Sequence, residues 1–271
     1  MKDRKNIVDE FIDFVPLYKD LKKVALIFIY HFLIFVSIIF LLYVVTSYFP
    51  FLAIVEAFLL STISNGPFIY MIINSDKIRE KYLRKYRDNP WQHFFMHYSY
   101  TSPFGAAALY FPLMLKTDYL LPPIIDLPQN FLTKTFFPIY IAIPLGTILL
   151  VFGLLIIRVS QNFDTDIGNY LHVMCPDKSR IPMKGIYELI RHPRFLSRLV
   201  LSVSLGIFAN NLLSVLVALA HFIPYYIFMV ILDKQLVRIY GKEIEQYQKK
   251  TPSLLPRIRN WKRFAKVIIY G

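Results

Sequence analysis

The sequence predicts an all-α fold: a polytopic membrane helical bundle of four spans, with a C-terminal helical hairpin and a cytosolic amphipathic tail. Three observations carry that prediction. Of 271 residues, 56% are hydrophobic and 17% aromatic, and the mean hydropathy is +0.45, far more apolar than a soluble domain with a wetted surface. The apolar residues fall in runs that approach the length needed to cross a bilayer, about 20 residues for roughly 30 Å of hydrocarbon. Charged residues make up only 18% of the chain and collect between those runs.

Taken in order, the first two spans are expected near Val24 to Tyr48 and Phe51 to Ile73. A charged, mixed segment precedes Val24, which is unlike a cleavable signal peptide. The stretch Lys77 to Arg87, with Tyr82 and Tyr86 four apart, reads as a headgroup-level helix or as an ordered connector. A third span, Tyr98 to Leu115, is interrupted by Pro103 and Pro112, and the fourth runs from Phe136 to Ile157. Phe195 to Ala209 and Leu212 to Leu232 then flank Asn210 and Asn211, a polar pair suited to a tight helix–helix turn. The first arm is short for a full crossing, so it either tilts or enters as part of a hairpin supported by protein neighbours. No internal repeat or long polar linker divides the chain. Residues 1–157, the N-terminal spans and their loop, and residues 158–271 are therefore expected to form one integral membrane domain.

Lys and Arg outnumber Asp and Glu by 31 to 18, an excess that suits nucleic acid or an anionic membrane face. The hydrophobicity selects the membrane, and no nucleic-acid recognition motif is present. Lys2, Arg4, Lys5, Lys19, Lys22 and Lys23 lead the first span, and Lys77, Arg79, Lys81, Arg84, Lys85 and Arg87 follow the second. The connection from Thr117 to Thr135 carries only Lys134, with Pro122, Pro123 and Pro128. By the positive-inside rule both termini and the 158–194 loop are expected in the cytosol and the 117–135 loop outside. Arg257, Arg259, Lys262, Arg263 and Lys266 then set the tail against the same anionic leaflet. The single cysteine, Cys175, excludes an intramolecular disulfide and a Cys-rich metal cluster.

The stretch GIYELIRHPRF, Gly185 to Phe195, places two arginines, a histidine, a glutamate and a proline at the mouth of the hairpin. Pro193 is acceptable as an early helix residue. An isolated cluster of Arg191, Arg194 and Arg198 would be read as topology determinants that snorkel to phosphates. The flanking residues shift that balance. After the hairpin the chain reads LDKQLVRIYGKEIEQYQKKTPSLLP, with Asp233, Tyr240, Gly241, Tyr247 and Pro252. Together with Gly185, Tyr187, Arg191, His192, Pro193 and Phe195, this composite resembles the isoprenylcysteine carboxyl methyltransferase and phospholipid methyltransferase superfamily of integral membrane enzymes. The resemblance covers roughly the last hundred residues, and it makes residues 158–271 the methyltransferase-like part of the domain.

The resemblance implies S-adenosylmethionine as cofactor and methyl transfer to a lipophilic small-molecule or lipidated acceptor, a prenylcysteine carboxylate or a phospholipid amine, at the cytosolic interface. It implies a cofactor site of Tyr187, Arg191, His192, Pro193, Asp233, Tyr240 and Tyr247. In it Arg191 would pair with the cofactor carboxylate, Asp233 would meet ribose hydroxyls or the amino group, and Tyr240 and Tyr247 would cover the adenine. No catalytic residue is assigned, and no metal is expected. Two departures stand out: the second acidic position of the family is Lys234, and the usual small glycine is replaced around Ser197 and Arg198. The additional Gly-x-Gly cofactor motif of the phospholipid methyltransferases is not evident. A noncatalytic membrane scaffold and a nicotinamide-dependent reductase of related architecture are the alternatives. A transporter lacks the expected repeat.

Other ionisable residues carry bland readings beside functional ones. His93 and His97 share a helical face as metal ligands do, but no third ligand is apparent, and WQHFFMHYSY also reads as an interfacial aromatic segment. Glu56, His31 and His221 fall inside apolar runs, where each either lines a pathway or makes an interhelical hydrogen bond. Asp164 and Asp166 either bind an amine headgroup or solvate their loop.

The charge asymmetry yields a topology prediction. In a Cys175→Ser background, an impermeant thiol reagent applied to intact cells should label a cysteine placed at Asn130 and spare one placed at Ser253. The reverse pattern would invert the map.

Overall fold

The computed structural model describes residues 20–87, 90–115, 130–160 and 181–270. The leading basic segment up to Lys19, residues 117–129 of the expected external loop, and Asp164, Asp166 and Cys175 lie outside the described residues. The fold is an all-α bundle. Helix α1 spans Leu21–Tyr48, α2 Leu52–Ile73, α3 Ser75–Lys85, α4 Pro90–Ser99, α5 Ser102–Met114 and α6 Ile139–Ser160. A 3-10 turn, Gly185–Glu188, precedes α7 Pro193–Ala209 and α8 Leu212–Tyr240; α9 Lys242–Lys250, a second 3-10 turn Ile258–Asn260 and α10 Trp261–Tyr270 complete the chain.

Among the described residues, four helices are long and apolar enough to cross a bilayer: Lys22–Tyr48, Leu52–Ile73, Ile139–Ser160 and Leu212–Tyr240. The protein is therefore an integral membrane protein. The set differs from the expectation in one member. The segment expected as a third span, Tyr98 to Leu115, holds only the 13-residue α5, about 20 Å at 1.5 Å per residue. The prolines are the reason. Pro103 sits in the first turn of α5, and beyond Pro112 the helix closes with Leu115 N donating to Pro112 O at 3.3 Å. The hairpin's second arm supplies the fourth span instead. It runs two turns beyond Leu232, for 29 residues, until Gly241 at φ +70°, a backbone conformation that favours glycine. Short α5 is tolerated because protein surrounds it: Ala107, Ala108 and Phe111 have no exposed surface.

The hairpin turn is built as its sequence suggests. Asn210 takes the left-handed conformation at φ +60°, which asparagine tolerates better than most residues. Its side chain accepts from Phe137 N at 2.9 Å and donates to Phe137 O at 2.8 Å. Asn211 caps α8 by accepting from Ser214 N at 2.8 Å and donates to Leu115 O. Two asparagines thereby tie α5, the entry to α6 and the hairpin together at one end of the bundle. At that end Ile38, Leu42, Ala53, Leu60, Phe111, Leu213 and Val217 form one apolar cluster. Two further clusters lie toward the other end, one around Met71, Phe94, Phe228 and Leu232, the other around Ile156, Ile190, Phe264 and Ile268.

Helices α6 and α7 pack through small residues at heptad spacing. Ser204 Oγ donates to Gly146 O at 2.8 Å and Ser197 Oγ to Gly153 O at 2.9 Å, so the pairs run antiparallel, Gly146 opposite Ser204 and Gly153 opposite Ser197. In lipid no hydrophobic force drives helices together, and close backbone approach with interhelical hydrogen bonds replaces it. A β-carbon on Gly146 would stand 2.9 Å from the Phe208 ring, and one on Gly153 2.8 Å from the Leu201 side chain. Ser197 and Arg198 are the positions around which the resemblance expects a glycine, and the Ser197 hydroxyl is used in this seam. The ionisable residues expected inside apolar runs are also partnered: Thr46 Oγ1 donates to Glu56 Oε2 at 2.8 Å, His31 Nδ1 lies 2.7 Å from Ile27 O, and His221 Nδ1 lies 2.5 Å from Ser61 Oγ.

The seam makes a stability prediction. Gly146→Ala and Gly153→Ala should each cost about 1–3 kcal/mol through overpacking. Gly66→Ala, where no atom lies within 4 Å of the added carbon, should be near neutral. Unfolding titrations in detergent measure the difference, and equal stability of all three variants would show that the seam relaxes freely.

Candidate functional site

Asp233 lies at the point where α8 has left the apolar part of the hairpin and α7 begins. Arg191 Nη2 donates to Asp233 Oδ2 at 2.5 Å, and His192 Nε2 lies 2.9 Å from Asp233 Oδ1. Gln248 Nε2 reaches the Asp233 main-chain oxygen at 2.9 Å and Oδ1 at 3.3 Å. The carboxylate side chain is only 14% exposed and that of Arg191 15%. A buried carboxylate so placed is stable only with its partners in position.

Arg191 has a second task. Its Nη1 donates to Gln248 O at 2.9 Å and Thr251 O at 2.5 Å, satisfying carbonyls at the C-terminus of α9 where a cation is favoured. The main chain continues the stitch, with Arg191 N donating to Pro252 O and His192 N to Ser253 O, both at 2.9 Å. Pro193 then starts α7 with its ring at the first helical position, where a missing N–H costs nothing.

The turn before Arg191 is shaped by Gly185 at φ +65°. It directs Tyr187 inward, where the ring is buried and its hydroxyl donates to Ser160 O at 3.4 Å. Tyr247 Oη donates to Tyr187 O at 2.6 Å. Burial raises the Tyr247 hydroxyl well above the usual tyrosine range, so it stays protonated and holds this donor role. Tyr240 lies two turns along α8 from Asp233 and packs on the cluster of Met71, Phe94, Phe228 and Leu232. From His192 a ladder of rings leads into the bundle: His192 to Phe195 at 5.5 Å, then Phe195 to Phe228 at 5.6 Å and to Tyr225 at 6.1 Å. Arg198 stacks over Tyr225 at 4.8 Å.

Of the residues expected from the sequence, Arg191, His192 and Asp233 converge on one point. Tyr187 and Tyr247 form an adjoining clamp, Pro193 sets the helix start, and Tyr240 stands apart on α8. Lys234 is exposed while Asp233 faces inward, as neighbours about 100° apart on a helix must. Glu243 and Glu245 are exposed on α9, and Glu245 pairs with Lys249 at 2.6 Å. Gln248 and the carbonyls of Thr251, Pro252 and Ser253 were not legible beforehand, because a polar residue in EIEQYQKK looks like part of a solvated face and a carbonyl has no sequence signature. His93 and His97 belong to an aromatic packing group: His93 stacks on Tyr86 at 4.1 Å, and Tyr82 Oη meets His97 Nδ1 at 2.9 Å.

Fold and site together define a polytopic membrane protein with one charged, hydrogen-bonded centre at the mouth of a helical hairpin. The family model for phospholipid methyltransferase matches residues 141–243. This segment holds Tyr187, Arg191, His192, Pro193, Asp233 and Tyr240, while Tyr247 and Gln248 lie just beyond it. The match bears out the resemblance over residues 141–243, and it points to a membrane methyltransferase. Among curated proteins and among solved structures, nothing matches the chain.

The site's energetics can be tested without any ligand. Asp233→Ala leaves Arg191 unpaired in a nearly buried position and should lower stability by about 3 kcal/mol. Gln248→Ala should cost about 1 kcal/mol, and Lys234→Ala less than about 0.5 kcal/mol. Thermal denaturation in detergent, followed by near-ultraviolet circular dichroism, should rank the three in that order.

Proposed function

We propose that the protein is an S-adenosylmethionine-dependent methyltransferase that modifies a lipophilic acceptor at the cytosolic face of the membrane. The cofactor site would be formed by Tyr187, Arg191, His192, Pro193, Asp233, Tyr240 and Tyr247. The observation that carries this reading is the junction of a charged, hydrogen-bonded centre with the aromatic ladder from His192 to Tyr225, which sets polar groups against an apolar interior. A polar cofactor from the cytosol and a lipid-held acceptor need that arrangement.

The residues present fit the amino-acid end of the cofactor. Arg191 Nε is buried and has no hydrogen-bond partner among the described residues, and a carboxylate supplies the acceptor it lacks. Asp233 offers carboxylate oxygens to an ammonium or to ribose hydroxyls. When bound, S-adenosylmethionine supplies a methyl group on a sulfonium, transferred by in-line displacement. The chain's own contribution is alignment: Asp233, Gln248 and the Thr251–Ser253 carbonyls fix Arg191 and His192, so little freedom is left to lose on binding. A carboxylate acceptor needs no base, whereas a protonated amine must first lose a proton. Exposed Lys234 would stand at the headgroup layer and favour an anionic or carboxylate-bearing acceptor.

A second reading, a noncatalytic scaffold, draws on the same geometry, since the terminal nitrogens of Arg191 are already directed to protein acceptors. Calorimetry with S-adenosylmethionine, S-adenosylhomocysteine and a reduced nicotinamide cofactor separates the readings. The two sulfur compounds should bind, and Arg191→Ala should lose roughly 1.5–3 kcal/mol of that affinity in protein that retains its helix content. Binding of the nicotinamide cofactor alone would assign a reductase, and binding of none of the three would leave the scaffold.

A further inference from the structure

The last helix has three distinct sides. At about 100° per residue, Trp261, Ala265 and Ile269 share one side of α10, Phe264 and Ile268 the next, and Lys262, Lys266 and Arg263 a third. Phe264 and Ile268 are buried against Ile156, Val159, Ile186, Tyr187 and Ile190. The Trp261 side faces away from the protein, with Trp261 43% and Ile269 56% exposed, and the basic side is exposed as well. No aspartate or glutamate occurs between Gln246 and Gly271. One side therefore meets protein, one is apolar and exposed, and one is cationic, in a helix that packs against the C-terminal part of α6 and the Gly185–Glu188 turn.

We propose that α10 lies in the membrane interface, its Trp261 side in the acyl boundary and Lys262 and Lys266 on anionic phospholipid headgroups, and that this attachment orders the Gly185–His192 segment. The partner is an anionic lipid surface, because the pattern of one apolar and one basic side is what such a surface accommodates. The coupling follows from the contacts. Phe264 and Ile268 share one buried cluster with Ile186, Tyr187 and Ile190, and α10 packs on the Gly185–Glu188 turn; Arg263 forms an ion pair with Glu188. The chain leading into α10 supplies the Pro252 and Ser253 carbonyls that hold Arg191 and His192. A helix held down by lipid thus steadies the segment that carries the charged centre, a regulation that rests on the methyltransferase reading only where activity is concerned.

The test uses the full chain in nanodiscs of phosphatidylcholine, with or without phosphatidylglycerol, and compares wild type with Lys262→Glu/Lys266→Glu. Hydrogen–deuterium exchange is read at residues 261–270 and 185–192, and S-adenosylhomocysteine affinity is measured in parallel. Anionic lipid should slow exchange in both segments of the wild type, by roughly fivefold for each lysine engaged. The double variant should lose that response while matching wild type in neutral discs. Equal exchange in the two lipids, or an undiminished response in the variant, overturns the proposal. A lipid response at 261–270 without one at 185–192 overturns the coupling. The exchange readout needs no cofactor, so failure to bind S-adenosylhomocysteine in either lipid would count against the methyltransferase reading alone.

Discussion

A single carboxylate, Asp233, holds the C-terminal arm of the protein to its membrane bundle. Arg191 and His192 reach it from the start of α7, and Gln248 reaches it from α9. These three contacts join segments that are distant in sequence, and the main-chain bonds from Arg191 and His192 to Pro252 and Ser253 follow from them. An ion pair of this kind gives little net stability when intact, but losing one partner leaves the other charge desolvated and unpaired. The constraint therefore works through specificity: few arrangements of α7, α8 and α9 satisfy all the groups at once.

The membrane part of the fold prepares the place where that constraint acts. Lipid gives no hydrophobic reward for helix association, so α6 and α7 rely on Gly146 and Gly153 facing Ser204 and Ser197. The asparagine pair at the hairpin turn closes the opposite end by satisfying main-chain groups of Phe137, Leu115 and Ser214. With both ends fixed, α7 and α8 emerge side by side, and Asp233 stands beside Arg191 and His192. The aromatic ladder from His192 to Tyr225 runs from that point into the apolar interior, the feature on which the proposed reading of a polar donor and a lipid-held acceptor rests.

Much of this was legible in the sequence, where the physics is local or periodic. Three span-length helices could be read from apolar run length, the hairpin turn from Asn210 and Asn211, and the different facing of Asp233 and Lys234 from helical periodicity. The failures have physical causes. The run from Tyr98 to Leu115 looks long enough to cross, but Pro103 and Pro112 bound a shorter helix that survives through protein cover. The run ending at Leu232 looks complete, yet α8 continues because Asp233 is compensated by distant partners. Arg191 was legible as a residue able to bind an anion, but its role as a cap for α9 depends on carbonyl positions that no side-chain pattern encodes. Gln248 was hidden for the same reason, since its amide matters only once α9 has folded back onto α8.

The central claim is that Arg191 and Asp233 act as one unit that both fixes the C-terminal arm and sets the binding site. A double-mutant cycle of Arg191→Met and Asp233→Leu, read in stability and in S-adenosylhomocysteine affinity, tests it most directly. The account predicts a coupling of about 1.5–3 kcal/mol in stability, with the double variant more stable than the sum of the single variants' losses would suggest, and binding weakened in all three. Additive effects on stability, or undiminished binding in the double variant, would contradict it.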